Sequence, residues 1–262
     1  MELLNTVLGN FTGFLFVLCR ITGIFTFNPI FSRNNVPNRA KAAMSIALSV
    51  VVLVMQGGEA ALPQFSGVIG FFLIVIKELF IGFVFGFFTN MIMTVIVYAG
   101  EIIDTQVGLG MAKAMDPSTG VTMPLFANLY YYLFILYFFL TEGHLSYIKL
   151  FALSYETIPI GYDFTVATLD LTYVIVNYFG TVLTLAVKFA LPIIAAELIT
   201  EICVGLMMKA IPTIQVYVVN IQLKVIVGFM VLLAAARPMS EFIEGLLGIL
   251  FENLYVMSGS FV

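Results

Sequence analysis

The stretch LFIGFVFGFFTNMIMTVIVYAG, from Leu79 to Gly100, contains no charged residue. A helix needs roughly 20 consecutive apolar residues, at about 1.5 Å each, to cross the hydrocarbon core of a bilayer. Gly82 and Gly86 are four positions apart, so on a helix they share a face that allows close contact with a second helix. The stretch therefore predicts a membrane-type helix with Gly82 and Gly86 as helix-packing residues.

The whole chain shares this composition, because 61% of its 262 residues are hydrophobic and only 10% are charged. Soluble domains contain about 45–50% apolar and about 25% charged residues, so this chain is an integral membrane protein or one buried among apolar partners. We predict an all-α, integral membrane-type protein of kinked helical hairpins, with about six helices of spanning length. The other uncharged runs are Leu3–Cys19, Ile21–Ser32, Ala42–Gly58, Ala60–Ile76, Pro117–Thr141 and Leu171–Val187.

Charge and side-chain chemistry exclude several classes of function. The net charge is −4 and the pI is about 5.0, so we expect no nucleic-acid binding. His144 is the only histidine, and HExxH, GxSxG, CxxC and Walker A patterns are missing from the sequence. Cys19 and Cys203 lie in apolar runs and are expected to be buried thiols. We therefore expect no enzyme activity, no catalytic residue, no metal and no cofactor.

Prolines and charges interrupt the apolar pattern in the last third of the chain. Pro192 removes a hydrogen bond inside an apparent helix and should bend it, while Pro212 and Pro238 should break two more helices. A charge at mid-bilayer costs about 2.5–3.5 kcal/mol, so the charged residues here should face protein or water. Taken alone, the positive-inside rule places both termini outside the cytoplasm. The charges concerned are Lys188, Glu197, Glu201 and Lys224.

Two pairs of acidic residues are candidates for buried polar or proton-linked roles. Glu101 and Asp104 are three apart and share a helix face, where they could bind a cation or relay protons, or mark the wet end of a helix. Glu197 and Glu201 are four apart, which suits either a proton path or structural pairing with a lysine of a neighbouring helix or subunit. Lys77–Glu78 is predicted to be a polar break between two apolar helices.

A polar, glycine-containing segment follows the Leu79–Gly100 stretch. Gly108 and Gly110 permit backbone angles that other residues avoid, and Asp116–Pro117 favours a turn. Met111 and Met115 are flexible apolar side chains, suited to a surface that changes shape. An adaptable plug and an ordinary inter-helix loop both fit these residues. The candidate plug residues, within a loop 106–123, are Gly108, Leu109, Gly110, Met111, Ala112, Lys113, Ala114, Met115, Asp116 and Pro117.

Four stretches, which together run in order through nearly the whole chain, carry a family resemblance. In each stretch, isolated polar, glycine or proline residues separate apolar runs. Asn220 and Gln222 depart from the pattern, where glycine and proline are expected before a lysine. The stretches are CRITGIFTFNPIFSRNNVPNRAKAAMSIALS from Cys19, GEIIDTQVGLGMAKAMDPSTG from Gly100, EGHLSYIKLFALSYETIPIG from Glu142 and KAIPTIQVYVVNIQLKVIVGF from Lys209.

These stretches resemble the FliR family, the R subunit of the flagellar type III protein export gate, which is related to injectisome T subunits. The resemblance implies a ring assembled with FliP and FliQ, beside FlhB and FlhA, through which unfolded flagellar proteins pass. It implies a place in the bacterial inner membrane at the flagellar basal body, and a central loop that closes the pore. It also implies helices raised on the periplasmic side, which replaces the orientation inferred from charge.

The resemblance further implies a single export-gate subunit with a P-like part at about 1–185 and a Q-like C-terminal hairpin at about 186–262. The residues alone leave two other functions open, a secondary transporter of a small solute and a non-conducting membrane scaffold. A transporter should show an internal repeat of spans, and none is evident. The overall sequence favours a flagellar system over an injectisome.

Overall fold

The computed structural model describes residues 10–33, 36–55, 67–110, 113–115, 122–162, 168–210 and 216–259. Within these ranges the chain is helical apart from turns and two three-residue strands, which confirms the all-α prediction. The helices are α1 Phe11–Phe27, α2 Asn38–Met55, α3 Gly67–Val107, α4 Leu125–Leu140, α5 Gly143–Thr157, α6 Thr168–Ala210, α7 Val216–Ala234 and α8 Ala236–Gly259; the strands are β1 Lys113–Met115 and β2 Thr122–Pro124.

Three of these helices are long and apolar enough to cross a membrane by themselves: α2, α3 and Thr172–Ala210 of α6. Two bent pairs, α4 with α5 and α7 with α8, raise the number to 5 if each pair counts as one span. The prediction of about six was too high for the described residues. Within the described residues the first apolar run yields the 17 residues of α1, and the runs Ala60–Ile76 and Leu79–Gly100 both contribute to one helix, α3.

The chain divides into two compact units. Unit 1 contains Met1–Met91, Phe138–Phe179 and Ile249–Val262, and unit 2 contains Ile92–Tyr137 and Gly180–Gly248. The 41 residues of α3 and the 43 residues of α6 contribute to both units. The predicted division at about residue 185 follows subunit resemblance rather than compactness, and it stays a prediction.

In unit 1, α1 packs against the first half of α3 where glycines remove side chains from the interface. A Cβ atom added to Gly82 would overlap the carbonyl oxygen of Arg20, and one added to Gly86 would lie 2.7 Å from Phe27 Cβ. Such distances are shorter than any normal carbon contact, so these positions admit only glycine without a shift of the helices. The backbones of α1 and α3 therefore approach closely along one face.

In unit 2, aromatic side chains join α4, α6 and α8. The rings of Tyr130 and Phe189 are 4.9 Å apart at 90°, and the Tyr130 hydroxyl donates to Met239 Sδ at 2.9 Å. Edge-to-face packing of this kind adds about 0.5–1.5 kcal/mol to the burial of apolar area. Helices α3 and α4 also pack closely, because Gly100 of α3 lies directly against the backbone of Ala127 of α4.

The structure corrects two expectations, one about a helix break and one about the thiols. Lys77–Glu78 is no break, because α3 runs through both residues. Cys203 is exposed in the single chain rather than buried, and Cys19 is half-buried. Pro192 lies inside α6, as predicted, and the bend expected there stays a prediction.

Pro238 does break a helix, as predicted. It occupies the first turn of α8, where its missing N–H costs least, and the chain bends by 63° at Ala235 between α7 and α8. Pro212 lies outside the described residues, just beyond the end of α6 at Ala210. The bend between α7 and α8 thus occurs at a site that the sequence marks with proline.

Candidate functional site

The candidate loop leaves α3 at a well-defined helix end in unit 2. Val107 is fully buried, and Gly108 follows with φ +88°, a left-handed conformation that glycine adopts at helix C-termini. The Leu109 N–H donates to the Asp104 carbonyl oxygen at 2.8 Å, and the Gly108 N–H donates to the Thr105 carbonyl oxygen at 3.3 Å. These bonds satisfy the last carbonyl groups of the helix and fix where the loop begins.

The return of the loop is held by a short antiparallel pair of strands. Lys113 pairs with Pro124, Ala114 with Met123 and Met115 with Thr122. Met123 and Pro124 are buried, so β2 is anchored in unit 2. The glycines and the Asp–Pro step predict a loop here, and the two strands are an addition that the structure shows. Among the predicted plug residues, Met111, Ala112, Asp116 and Pro117 lie outside the described residues.

Asp104 joins the two ends of the loop. Its side chain is 1% exposed, and Oδ2 accepts a hydrogen bond from the Phe126 N–H at 3.2 Å. Phe126 belongs to the first turn of α4, where N–H groups have no partner inside the helix, so the carboxylate caps α4 from the last turn of α3. Glu101 is exposed, so the two acids do not share one wet helix end. Oδ1 of Asp104 has no partner among the described residues.

Glu197 and Glu201 differ sharply, although they lie one turn apart on α6. Glu201 forms an ion pair with Lys224 of α7, and both side chains retain some exposure. Glu197 is 0% exposed, and neither carboxyl oxygen has a hydrogen-bond partner in the part of the chain that the structure describes. Pairing with a lysine of a neighbouring helix, one of the two roles considered for these acids, thus occurs at Glu201.

The Glu197 carboxyl lies where three helices of unit 2 meet. A Cβ atom added to Gly228 of α7 would lie 3.2 Å from Glu197 Oε1 of α6 and 2.6 Å from Val107 Cγ2 of α3. The sequence did not predict that Val107 and Gly228 lie beside Glu197. The spacing of Lys224 and Gly228, one helical turn, was the available signal, because it places the lysine and the glycine on one face of α7.

Unit 1 contains a buried ion pair that the sequence did not predict. Arg20 Nε donates to Glu78 Oε2 at 2.7 Å with both side chains 0% exposed. The guanidinium also donates to the Ser154 carbonyl oxygen at 3.2 Å and lies 4.0 Å from the ring centre of Tyr155. Glu78 Oε1 accepts from the Gly161 N–H at 3.0 Å. The cluster joins α1, α3, α5 and the turn after α5.

Large apolar side chains remain exposed on the part of α6 that belongs to unit 2. Monomeric soluble proteins rarely leave contiguous apolar patches larger than a few hundred Å². Lys188 lies among these side chains and is exposed, and no hydrogen bond or ion pair reaches it from the described residues. The exposed apolar residues of this face are Leu183, Val187, Leu191, Leu198, Ile199, Ile202 and Leu206.

A groove of about 570 Å³ lies between α3 and α6 in unit 2. Its walls are mainly apolar, with Tyr98 and Ile102 on one side and Leu183 and Val187 on the other, and Glu101 at the edge. It offers no clustered metal ligands, and the described residues contain no group of three or more His, Cys, Asp or Glu that could hold a metal ion.

Comparison with known proteins gives a consistent family assignment. Residues 11–249 match the family described as bacterial export proteins, family 1. The chain is 23% identical over 252 residues to "Flagellar biosynthetic protein FliR" of Bacillus subtilis (strain 168), covering 96% of each chain. It is 27% identical over 240 residues to the protein of that name in Escherichia coli (strain K12), covering 90% of this chain and 89% of that one.

A third relative, the FliR protein of Aquifex aeolicus (strain VF5), is 29% identical over 215 residues, or 81% of this chain and 80% of that one. None of these names denotes an enzyme reaction. Together with helices long enough to span a bilayer, the matches support a role in flagellar export at a membrane.

Proposed function

Because the chain belongs to the bacterial export proteins, family 1, we propose that it is a core subunit of the flagellar export gate. With FliP and FliQ it forms the pore for unfolded flagellar proteins, and its loop 106–123 closes that pore. FlhB and FlhA act beside it, in the inner membrane at the flagellar basal body. The observation that carries the proposal is the stem of the loop, whose two ends are tied together in unit 2.

A loop that closes a pore must be anchored firmly at its base and be able to yield at its tip. The Asp104–Phe126 hydrogen bond and the pairing of β1 with β2 anchor both ends of the loop. Gly108 directs the chain away from α3 in a conformation that a larger residue would resist. Met111 and Met115 supply apolar side chains that adapt their shape, which suits a seal.

The physical demand on such a seal is set by the membrane potential. Each elementary charge that leaks across about 100 mV dissipates about 2.3 kcal/mol, so an idle pore must exclude ions. An apolar constriction excludes them by dewetting and opens when its lining moves aside. Substrate or partner binding then needs only to favour one of two loop positions. The predicted plug residues Gly108 to Pro117 provide this lining.

The exposed faces of unit 2 support assembly with partner subunits. Lys188 interrupts the apolar face of α6, and a lone charge is disfavoured against lipid tails. A neighbouring subunit with an acidic side chain among apolar residues would match this face in both charge and hydrophobicity. The P-like part at about 1–185 and the Q-like part at about 186–262 meet within α6, so this helix would belong to both parts.

The proposal is tested by ion conductance of the assembled gate in planar bilayers. Deletion of Met111–Met115 should raise the idle conductance, because it removes apolar lining of the constriction together with β1, which anchors the loop. Deletion of Gln56–Ala60, a segment of equal length between α2 and α3, is the matched control and should leave the gate closed. An unchanged conductance after loop deletion, in a gate that still assembles, would reject pore closure and favour a scaffold. Solute uptake by the chain alone would favour a transporter.

A further inference from the structure

We propose that Glu197 is a proton-responsive positioning residue for the end of α3, from which the loop departs. Its carboxyl group is fully buried, and both oxygens lack a hydrogen-bond partner in the part of the chain that the structure describes. An ionised carboxylate in such a place is strongly disfavoured, whereas a neutral carboxyl is tolerated. The packing seen here is therefore that of the protonated side chain.

The contact that transmits the state of Glu197 is made without an intervening side chain. Gly228 has no side chain, so Glu197 Oε1 and Val107 Cγ2 both lie beside the position that its Cβ atom would occupy, at 3.2 Å and 2.6 Å. Val107 is the last residue of α3, and Gly108 begins the loop. Any displacement of α7 or of the carboxyl group therefore acts directly on the residue that precedes the loop.

Two charged residues lie near Glu197, namely Glu201 and Lys224. They pair with each other, and Glu197 is a second carboxyl group with which Lys224 can pair. Glu201 lies one turn along α6, and Lys224 lies one turn from Gly228 on α7, so the two pairs 197–228 and 201–224 are successive contacts of α6 with α7. Lys224 attracts the ionised form of Glu197 and Glu201 repels it. On α3, the acid nearest to Val107 in sequence is Asp104, whose Oδ2 is engaged by Phe126.

Two states follow from this arrangement. With Glu197 neutral, Lys224 pairs with Glu201, and Val107 remains packed on Gly228. When Glu197 loses its proton, the carboxylate requires donors, so Lys224 is drawn toward it and water enters the contact. The Val107–Gly228 packing then loosens, and the bonds that end α3 at Gly108 and Leu109 open more often.

Part of this inference rests on the proposed function, because only a pore-closing loop would turn the movement into gating. The movement itself is tested separately by hydrogen exchange in the complete purified complex, at pH values from about 5.5 to 9, corrected for intrinsic exchange. The amides of Gly108 and Leu109 should lose protection by up to about tenfold per pH unit above the ionisation of Glu197, because opening releases one proton. Glu197→Gln should keep their protection constant over the whole pH range.

An identical pH step in Glu197→Gln, or no step in the wild type, would overturn the proposal. Two further variants test it even where that substitution prevents assembly. Glu201→Gln should move the step to lower pH, because Lys224 becomes available to Glu197 and a negative charge is removed. Lys224→Met should move it to higher pH. A midpoint that neither variant shifts would also overturn the proposal.

The conductance experiment tests pore closure and the exchange experiment tests the Glu197 contact, so either claim can fail while the other stands. If loop deletion leaves conductance unchanged while the pH step disappears in Glu197→Gln, the proton-responsive contact stands and pore closure does not. If loop deletion opens the pore while the exchange step is missing, the loop closes the pore without control by Glu197.

Discussion

Unit 1 buries the Arg20 guanidinium against the Glu78 carboxylate, whereas unit 2 buries the Glu197 carboxyl without a hydrogen-bond partner among the described residues. Both carboxyl groups are 0% exposed, so burial does not distinguish them. The surroundings do, since Glu78 uses both oxygens, one for Arg20 and one for the Gly161 N–H. Glu197 has no hydrogen-bond donor among the described residues, because Lys224 of α7 pairs with Glu201 instead.

The comparison separates a fixed part of the protein from a responsive one. A buried ion pair whose two carboxylate oxygens are both engaged holds one arrangement, because breaking it leaves an uncompensated buried charge. A carboxyl group without hydrogen-bond partners can gain or lose a proton without breaking an ion pair, and the groups around it then move. In our proposal, the Arg20–Glu78 pair holds unit 1 in one arrangement, and the Glu197 contact makes the end of α3 in unit 2 sensitive to protonation.

The largest effect is expected when the Arg20–Glu78 pair is broken. Arg20→Met leaves Glu78 buried and unpaired and should destabilise the chain by about 3–5 kcal/mol. The free energy of unfolding of the purified protein in detergent measures this loss. Arg237→Met removes an exposed pair with Glu241 and should change stability by less than about 0.5 kcal/mol. Equal losses in the two variants would contradict a special role for the buried pair.

An intermediate effect is expected where α1 meets α3. Gly82→Ala places a Cβ atom on the Arg20 carbonyl oxygen and should cost about 1–3 kcal/mol through forced separation of the helices. Gly180→Ala is the matched control, because no atom lies within 4 Å of its added Cβ. The control should be neutral or stabilising, by up to about 1 kcal/mol, since alanine favours helix. Comparable losses at both positions would show that packing is not the cause.

A smaller effect is expected at the stem of the loop. Asp104→Ala removes the acceptor for the Phe126 N–H and should cost about 0.5–2 kcal/mol, as for the loss of a helix cap. Hydrogen exchange at the first turn of α4 should accelerate, while α6 stays unchanged. Glu101→Ala, one turn earlier and exposed, should leave that exchange rate alone. Unaltered exchange in Asp104→Ala would remove the proposed tie between the two ends of the loop.

The sequence allowed the fold class and the family to be predicted, and both predictions are confirmed. Apolar runs, glycine pairs and Pro238 are local signals, so they could be read along the chain. The Arg20–Glu78 pair could not, because its residues are 58 positions apart and each alone resembles an isolated charge in an apolar run. Distance in sequence also hid the meeting of Val107, Glu197 and Gly228.

The loop shows the same limit at shorter range. Glycines and an Asp–Pro step indicated a flexible connection, but no alternation of apolar residues marked β1 and β2. Three-residue strands are stabilised by the anchoring of their ends rather than by their own side-chain pattern. The tie from Asp104 to Phe126, which supplies that anchoring, crosses 22 positions. The role of the loop in closing a pore remains a prediction.

That role is tested most directly by a photoreactive amino acid at position 114, in β1, in assembled gates that hold a stalled export substrate. The account predicts covalent adducts with the unfolded substrate from position 114 and none from Val68, which is 72% exposed in unit 1. Substrate passage without any adduct at position 114, or adducts of equal yield at both positions, would contradict it.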